Sequence, residues 1–157
     1  MKPLMVAGAA LLAVGAAHAL ACTAPGGALN TADLGTTLQT SGRIACYGTA
    51  GNWDNQEILQ GGSTLVDYKK GPGDPVDPES TIGNYGISTD GSGAGIVTYN
   101  YTTGGGQPSY AYYLVNVTGG NGNPGTYNFF PGADGTGSVC VGPILITIET
   151  TASTGCA

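Results

Sequence analysis

Ile96-Val97-Thr98-Tyr99-Asn100-Tyr101-Thr102 and Tyr110-Ala111-Tyr112-Tyr113-Leu114-Val115-Asn116-Val117-Thr118 are two runs of β-branched and aromatic residues. Between them lie Gly104, Gly105, Gly106 and Pro108. Such runs suit a pleated, half-buried surface, and the glycine-proline connection ends each of them. Period two puts Val97, Tyr99 and Tyr101 on one face of the first run. In the second, Tyr113, Val115 and Val117 lie opposite to Tyr110 and Tyr112.

Working outward, Arg43–Gly48, Thr64–Lys69, Thr81–Thr89 and Thr126–Phe130 carry the same signature. Ser138–Glu149 adds another run, which Pro143 divides. Asn52–Leu59 reads either as a strand with Trp53, Asn55 and Glu57 on one face or as a helical turn. Leu34 and Leu38, four apart, mark a short helical piece starting near Asn30 or Thr31, which Gly35 weakens. About seven or eight short strands with turn signals between them define an all-β domain. A small antiparallel β-barrel is expected, because closure removes free edges; a β-sandwich is the alternative.

Residues 1–21 read as a secretory signal peptide: Lys2, an apolar run over Leu4–Ala17, and the small-residue site Ala19-Leu20-Ala21. The run is too short and too rich in Gly and Ala for a membrane span. Cleavage there takes the chain from 157 residues to 136, residues 22–157, one domain by length. It also removes His18, the one histidine, and with it the commonest general base and metal ligand. Losing Lys2 moves the formal charge from −6 to −7, which disfavours nucleic acid and anionic membrane surfaces. Of 29 glycines, 27 lie beyond the signal, mostly as punctuation between strands.

Cys22, Cys46, Cys140 and Cys156 all survive cleavage, and an even number in an exported chain reads as two disulfides. The expected pairing is nested, Cys46–Cys140 inside Cys22–Cys156, because a closed sheet brings its ends together. The sequential pairing, Cys22–Cys46 with Cys140–Cys156, is the alternative. A secreted or periplasmic location follows. Cys22 would be the first mature residue, so a lipid anchor on its sulfur is a minority reading.

Two clusters invite a binding or catalytic role. An interior lined by Tyr99, Tyr101 and Tyr113 would hold a small apolar or aromatic ligand, although tyrosines equally fill small barrel cores. Trp53 beside Asp54 and Glu57 resembles the platform and acids of a glycan site. Neighbours in one segment, however, seldom face each other across a scissile bond. In the loop from Asp67 to Glu79, the carboxylates Asp74, Asp77 and Glu79 do not follow the spacing of an EF-hand, so a stiff surface loop is expected. No metal site and no cofactor is expected, and without histidine there is no ordinary route to an activated cysteine.

Ser41-Gly42-Arg43-Ile44-Ala45-Cys46, Trp53 to Glu57, Gly61-Gly62, Asp67-Tyr68-Lys69-Lys70-Gly71 and Asp74-Pro75-Val76-Asp77-Pro78 form a distinctive set. With Ile82-Gly83-Asn84-Tyr85, Val97-Thr98-Tyr99-Asn100-Tyr101 and Thr126-Tyr127-Asn128-Phe129, it resembles small secreted bacterial proteins of unknown function. The resemblance spans roughly residues 40–130. It departs at Asn84-Tyr85, where those proteins carry Thr-Trp, and at Phe130, where they carry Cys. It implies a strand rhythm loosely similar to calycin barrels and no activity.

A non-catalytic binding protein for a small molecule, glycan or protein is the leading expectation. Such a protein should be a monomer with a cavity above about 300 Å³. A cell-surface or extracellular structural component is the alternative and should leave a long strand edge uncovered. A carboxylate-based hydrolase comes third and needs two acids converging in a cleft.

Overall fold

Asn30, Asp33, Leu34 and Leu38 set the first element among the described residues. In the computed structural model, which describes residues 22–69, 80–102, 108–132 and 139–157, they form helix α1 (Thr31–Gln39). The Asn30 side chain caps it by accepting the Asp33 amide at 2.9 Å, and Asp33 suits the positive end of the helix dipole. Leu34, Thr37 and Leu38 form its buried face. Among the described residues no helix is long and apolar enough to cross a membrane.

Eight strands follow: β1 (Arg43–Thr49), β2 (Asn52–Gln60), β3 (Thr64–Lys69), β4 (Ser80–Thr89), β5 (Gly95–Tyr101), β6 (Ser109–Asn116), β7 (Gly125–Pro131) and β8 (Ile144–Glu149). Each pairs antiparallel with the next, and β8 returns to β1 with Cys46 opposite Thr147, so the sheet is a closed barrel. The ambiguous segment from Asn52 is a strand, and β8 starts directly after Pro143. The expected barrel is therefore the observed architecture, and the sandwich is not. The signal segment with His18 and the loop carrying Asp74, Asp77 and Glu79 lie outside the described residues.

Inside and outside are sorted by alternation. Leu59, Leu65, Tyr85, Val97, Leu114, Tyr127, Phe129 and Ile148 point inward and pack with Leu29, Leu34 and Leu38. Helix α1 thus plugs the end of the barrel marked by the β2–β3 turn. The Tyr85 hydroxyl locks it there, donating towards the Leu38 and Gln60 carbonyl oxygens at 3.2 and 3.3 Å. On the outer face, Asn100 donates to Asn84 at 3.1 Å and accepts from Ser109 at 2.8 Å, a polar ladder across three strands.

Two segments outside the sheet are strapped to the barrel wall. Residues 22–30 run over β5 and β6: the Leu29 amide donates to Leu114, and the Gly95 amide donates to Leu29, both at 2.8 Å. Cys22, Ile96, Tyr113 and Cys140 are buried beneath this strap. Residues after β8 fold back over β1–β3 and cover Ile44, Cys46, Trp53, Ile58 and Val66. Gly155 lies in this strap at φ +80°, where a Cβ would meet the Tyr68 ring at 2.5 Å, so only glycine fits without displacement.

The disulfides are Cys22–Cys140 and Cys46–Cys156. This crossed pairing replaces both expectations, the nested Cys46–Cys140 with Cys22–Cys156 and the sequential Cys22–Cys46 with Cys140–Cys156. The nested expectation placed the cysteine-bearing ends side by side at the closure. The barrel closes instead through β1–β8 hydrogen bonds. The two straps leave to walls four strands apart, and each bridge pins one of them. A lipid thioether cannot form on the Cys22 sulfur while it is bridged to Cys140. Two disulfides fit an oxidising environment.

Candidate functional site

A β-bulge decides what β2 presents to the barrel interior. Tyr47 pairs with Asn55 but Gly48 pairs with Trp53, so Asp54 is the extra residue. Gly48 makes room for it: at φ +117° its Cβ would lie 2.7 Å from the Asp54 amide nitrogen. The bulge resets the alternation. Asn55, Glu57 and Leu59 turn inward, whereas Trp53 turns outward into the strap, where its Nε1 donates to the Ala157 carbonyl oxygen at 2.8 Å. Trp53 is thus a strap anchor and not a lining residue. Asp54 is exposed on the wall and does not converge with Glu57.

The register between β5 and β6 makes the second choice. Val97 is directly opposite Tyr112, and Tyr99 opposite Tyr110. Cross-strand partners share a face, so Tyr112 and Leu114 point inward with Val97, Tyr99 and Tyr101. Tyr113 therefore points outward, correcting its expected place in the interior. It is buried under the first strap and donates to Asp90 at 2.9 Å. Burial, and then that hydrogen bond, pushes its pKa up to about 12.

At the end of the barrel away from α1 these side chains enclose a cavity of about 210 Å³. Its walls are Ala45, Tyr47, Asn55, Glu57, Tyr99, Tyr101, Tyr112, Phe129, Ile144 and Ile146. It is smaller than the 300 Å³ expected because the rings of Tyr99, Tyr112 and Phe129 fill the middle of the barrel. Tyr112 packs between the other two at centroid distances of 6.0 and 5.8 Å. Of the four aromatic positions expected to bind, Tyr99 and Tyr101 line the cavity, and Tyr113 and Trp53 do not.

The polar groups in this cavity are few. Glu57 is half-buried; it receives the Tyr101 hydroxyl at 3.1 Å from both carboxylate oxygens and the Asn55 amide at 3.3 Å. Burial raises the Glu57 pKa; the hydrogen bonds from Tyr101 and Asn55 oppose that, and the Asp67 charge adds to it. Asp67 stands directly across from Glu57 on β3. Burial likewise raises the phenol pKa values of Tyr99, Tyr101 and Tyr112, with the Glu57 charge contributing to each. All three hydroxyls are therefore protonated near neutral pH. The Tyr99 hydroxyl is buried and has no hydrogen-bond partner among the described residues.

Glu57 implies a defined pH dependence. Its folded-state pKa lies above the ordinary value of 4.5, so the folded protein binds more protons than the unfolded chain in that interval. Stability of the empty protein should fall as pH rises from about 4.5 through the raised pKa, then level off. Urea titrations across that range should show the decline in wild type and its loss in Glu57→Gln. A decline of equal size in Glu57→Gln would assign it to another group.

Among the described residues no three His, Cys, Asp or Glu side chains stand together to hold a metal ion. Glu57 and Asp67 are neighbours on adjacent strands, side by side rather than facing across a gap, so they do not form the flanking pair that glycoside hydrolysis needs. Sequence reading missed Tyr112, Phe129 and the β8 isoleucines as walls; β8 alternation was visible, but its inward side was not.

Neither a protein-family model, nor a curated protein, nor a solved structure matches this chain. Function has to be read from the site itself.

Proposed function

We propose that this is a secreted or periplasmic binding protein that holds a small ligand in the tyrosine-lined open end of its barrel. The observation that carries this reading is the cavity itself, walled by the rings of Tyr47, Tyr99, Tyr101 and Tyr112 with the half-buried Glu57 carboxylate among them. Aromatic walls with a few convergent polar groups are the usual make-up of a ligand pocket. The size favours an occupant smaller than a drug-like molecule, and a glycan lacks its platform because Trp53 is turned outward. The disulfides, the signal-like leader and the resemblance to small secreted bacterial proteins support export.

The competing structural role has less support. Every strand is paired on both sides, so the described sheet offers no open edge for assembly.

Tyr99→Phe should be as stable as wild type or up to about 1 kcal/mol more stable, since it deletes a buried hydroxyl that has no partner among the described residues. Benzyl alcohol and benzylammonium serve as probes in an NMR titration of the tyrosine rings. Either should shift Tyr99, Tyr101 and Tyr112 but leave Tyr113 unmoved behind the wall. Ala45→Phe, which fills the cavity, should abolish the shifts. No shift with either probe, or shifts that persist in Ala45→Phe, would overturn the reading.

A further inference from the structure

We propose that the ligand is a small organic cation, an ammonium group carried on a compact apolar body, and that Glu57 is the residue that selects its charge. This rests on the binding reading above and names the ligand class for the same cavity. Among the described residues that wall the cavity Glu57 is the one carboxyl, and it lies among rings and aliphatic side chains. Its described partners, Tyr101 and Asn55, are neutral donors. They orient the carboxylate without neutralising it. Asp67, directly across on β3, adds a second negative charge beside it. An anion entering this cavity meets repulsion, and a neutral ligand leaves the charge uncompensated.

A cation meets three complementary features at once. Its charge pairs with Glu57 in a site partly withdrawn from water, where the attraction is stronger than at a surface. Its N–H groups find acceptors in the Glu57 carboxylate oxygens, which already receive the Tyr101 hydroxyl at 3.1 Å. Its flanks lie against the rings of Tyr47, Tyr99, Tyr101 and Tyr112, whose faces attract positive charge. The chain as a whole carries a formal charge of −6, which raises the local concentration of cations.

Proton linkage follows from the groups facing Glu57. These are Tyr101 and Tyr99 from β5, Tyr112 from β6, Tyr47 from β1, Asp67 from β3 and Asn55 on its own strand. The phenols of Tyr99, Tyr101 and Tyr112 stay neutral through the acid range, and Asp67 opposes ionisation of Glu57. A bound ammonium favours the ionised form, so Glu57 releases a proton as the cation enters. Affinity for the cation should therefore rise with pH through the Glu57 titration.

Isothermal titration of the full folded protein with benzylammonium, its neutral counterpart benzyl alcohol, and benzoate tests this. Benzylammonium should bind at least about tenfold tighter than benzyl alcohol at neutral pH, as a charge-assisted hydrogen bond warrants. Benzoate should not bind. Glu57→Gln should weaken benzylammonium by about tenfold to a hundredfold, remove its preference over benzyl alcohol, and remove the pH dependence. Equal binding of benzylammonium and benzyl alcohol, both blocked by Ala45→Phe, would overturn the cation assignment and leave the binding reading intact. Binding of neither would overturn both. The wild-type comparison of the three probes decides the matter even if Glu57→Gln does not fold.

Discussion

Replacing Cys46 and Cys156 by alanine is expected to lower stability by about 3–5 kcal/mol and the melting temperature by about 10–20 °C. The bridge closes a chain of 110 residues, so its loss frees a large loop in the unfolded state, and loop entropy alone accounts for an effect of this order. The folded state loses as well. Cys156 holds the strap over β1–β3, where its amide donates to the Gln56 side chain at 2.8 Å and Trp53 Nε1 donates to Ala157. Releasing the strap exposes Ile44, Ile58 and Val66 on the outer wall. Because Trp53 is the single tryptophan, its emission reports on this strap alone. It should shift to the red in Cys46→Ala/Cys156→Ala and stay unchanged in Cys22→Ala/Cys140→Ala. Unchanged emission together with a melting temperature within a few degrees of wild type would refute the strapped arrangement.

Leu38→Ala is expected to cost about 3 kcal/mol. Leu38 is fully buried in the barrel interior, and its carbonyl oxygen accepts from Tyr85. Truncation leaves a hollow between helix and barrel that rigid strands cannot collapse to fill, so both the lost transfer energy and the cavity count against the fold. The helix plugs one end and the cavity lies at the other, so the affinity of Leu38→Ala for the cavity probes should stay within about twofold of wild type. Chemical denaturation combined with probe titration checks both. A loss below about 1 kcal/mol would mean that α1 does not close the barrel, and a large change in affinity would mean that the two ends are coupled.

Legibility in the sequence followed physical range. Strands such as Gly95–Tyr101 were plain because alternation of β-branched and aromatic residues is a local property. The short helix starting near Asn30 or Thr31 was visible for the same reason: Leu34 and Leu38, four apart, act within a few residues. The interior face of β5 was correctly grouped as Val97, Tyr99 and Tyr101. The partner face on β6 was not, because Tyr112 and Tyr113 are both aromatic and each alternation is apolar enough to be buried. Only the pairing of Val97 with Tyr112 selects between them. Trp53 misled for a related reason. A one-residue bulge at Asp54, invisible in composition, turns it to the opposite side of the sheet from Asn55 and Glu57.

By itself the sequence determined the all-β class, the strand rhythm, the helix and the presence of two disulfides, since all of these depend on residue type and short-range periodicity. Which cysteines pair, which tyrosines face the cavity, and that Glu57 meets Tyr101 inside the barrel were decided only by the tertiary structure. These depend on how register, bulges and closure bring distant residues together. Shifting a strand by one residue exchanges its two faces while leaving the composition untouched.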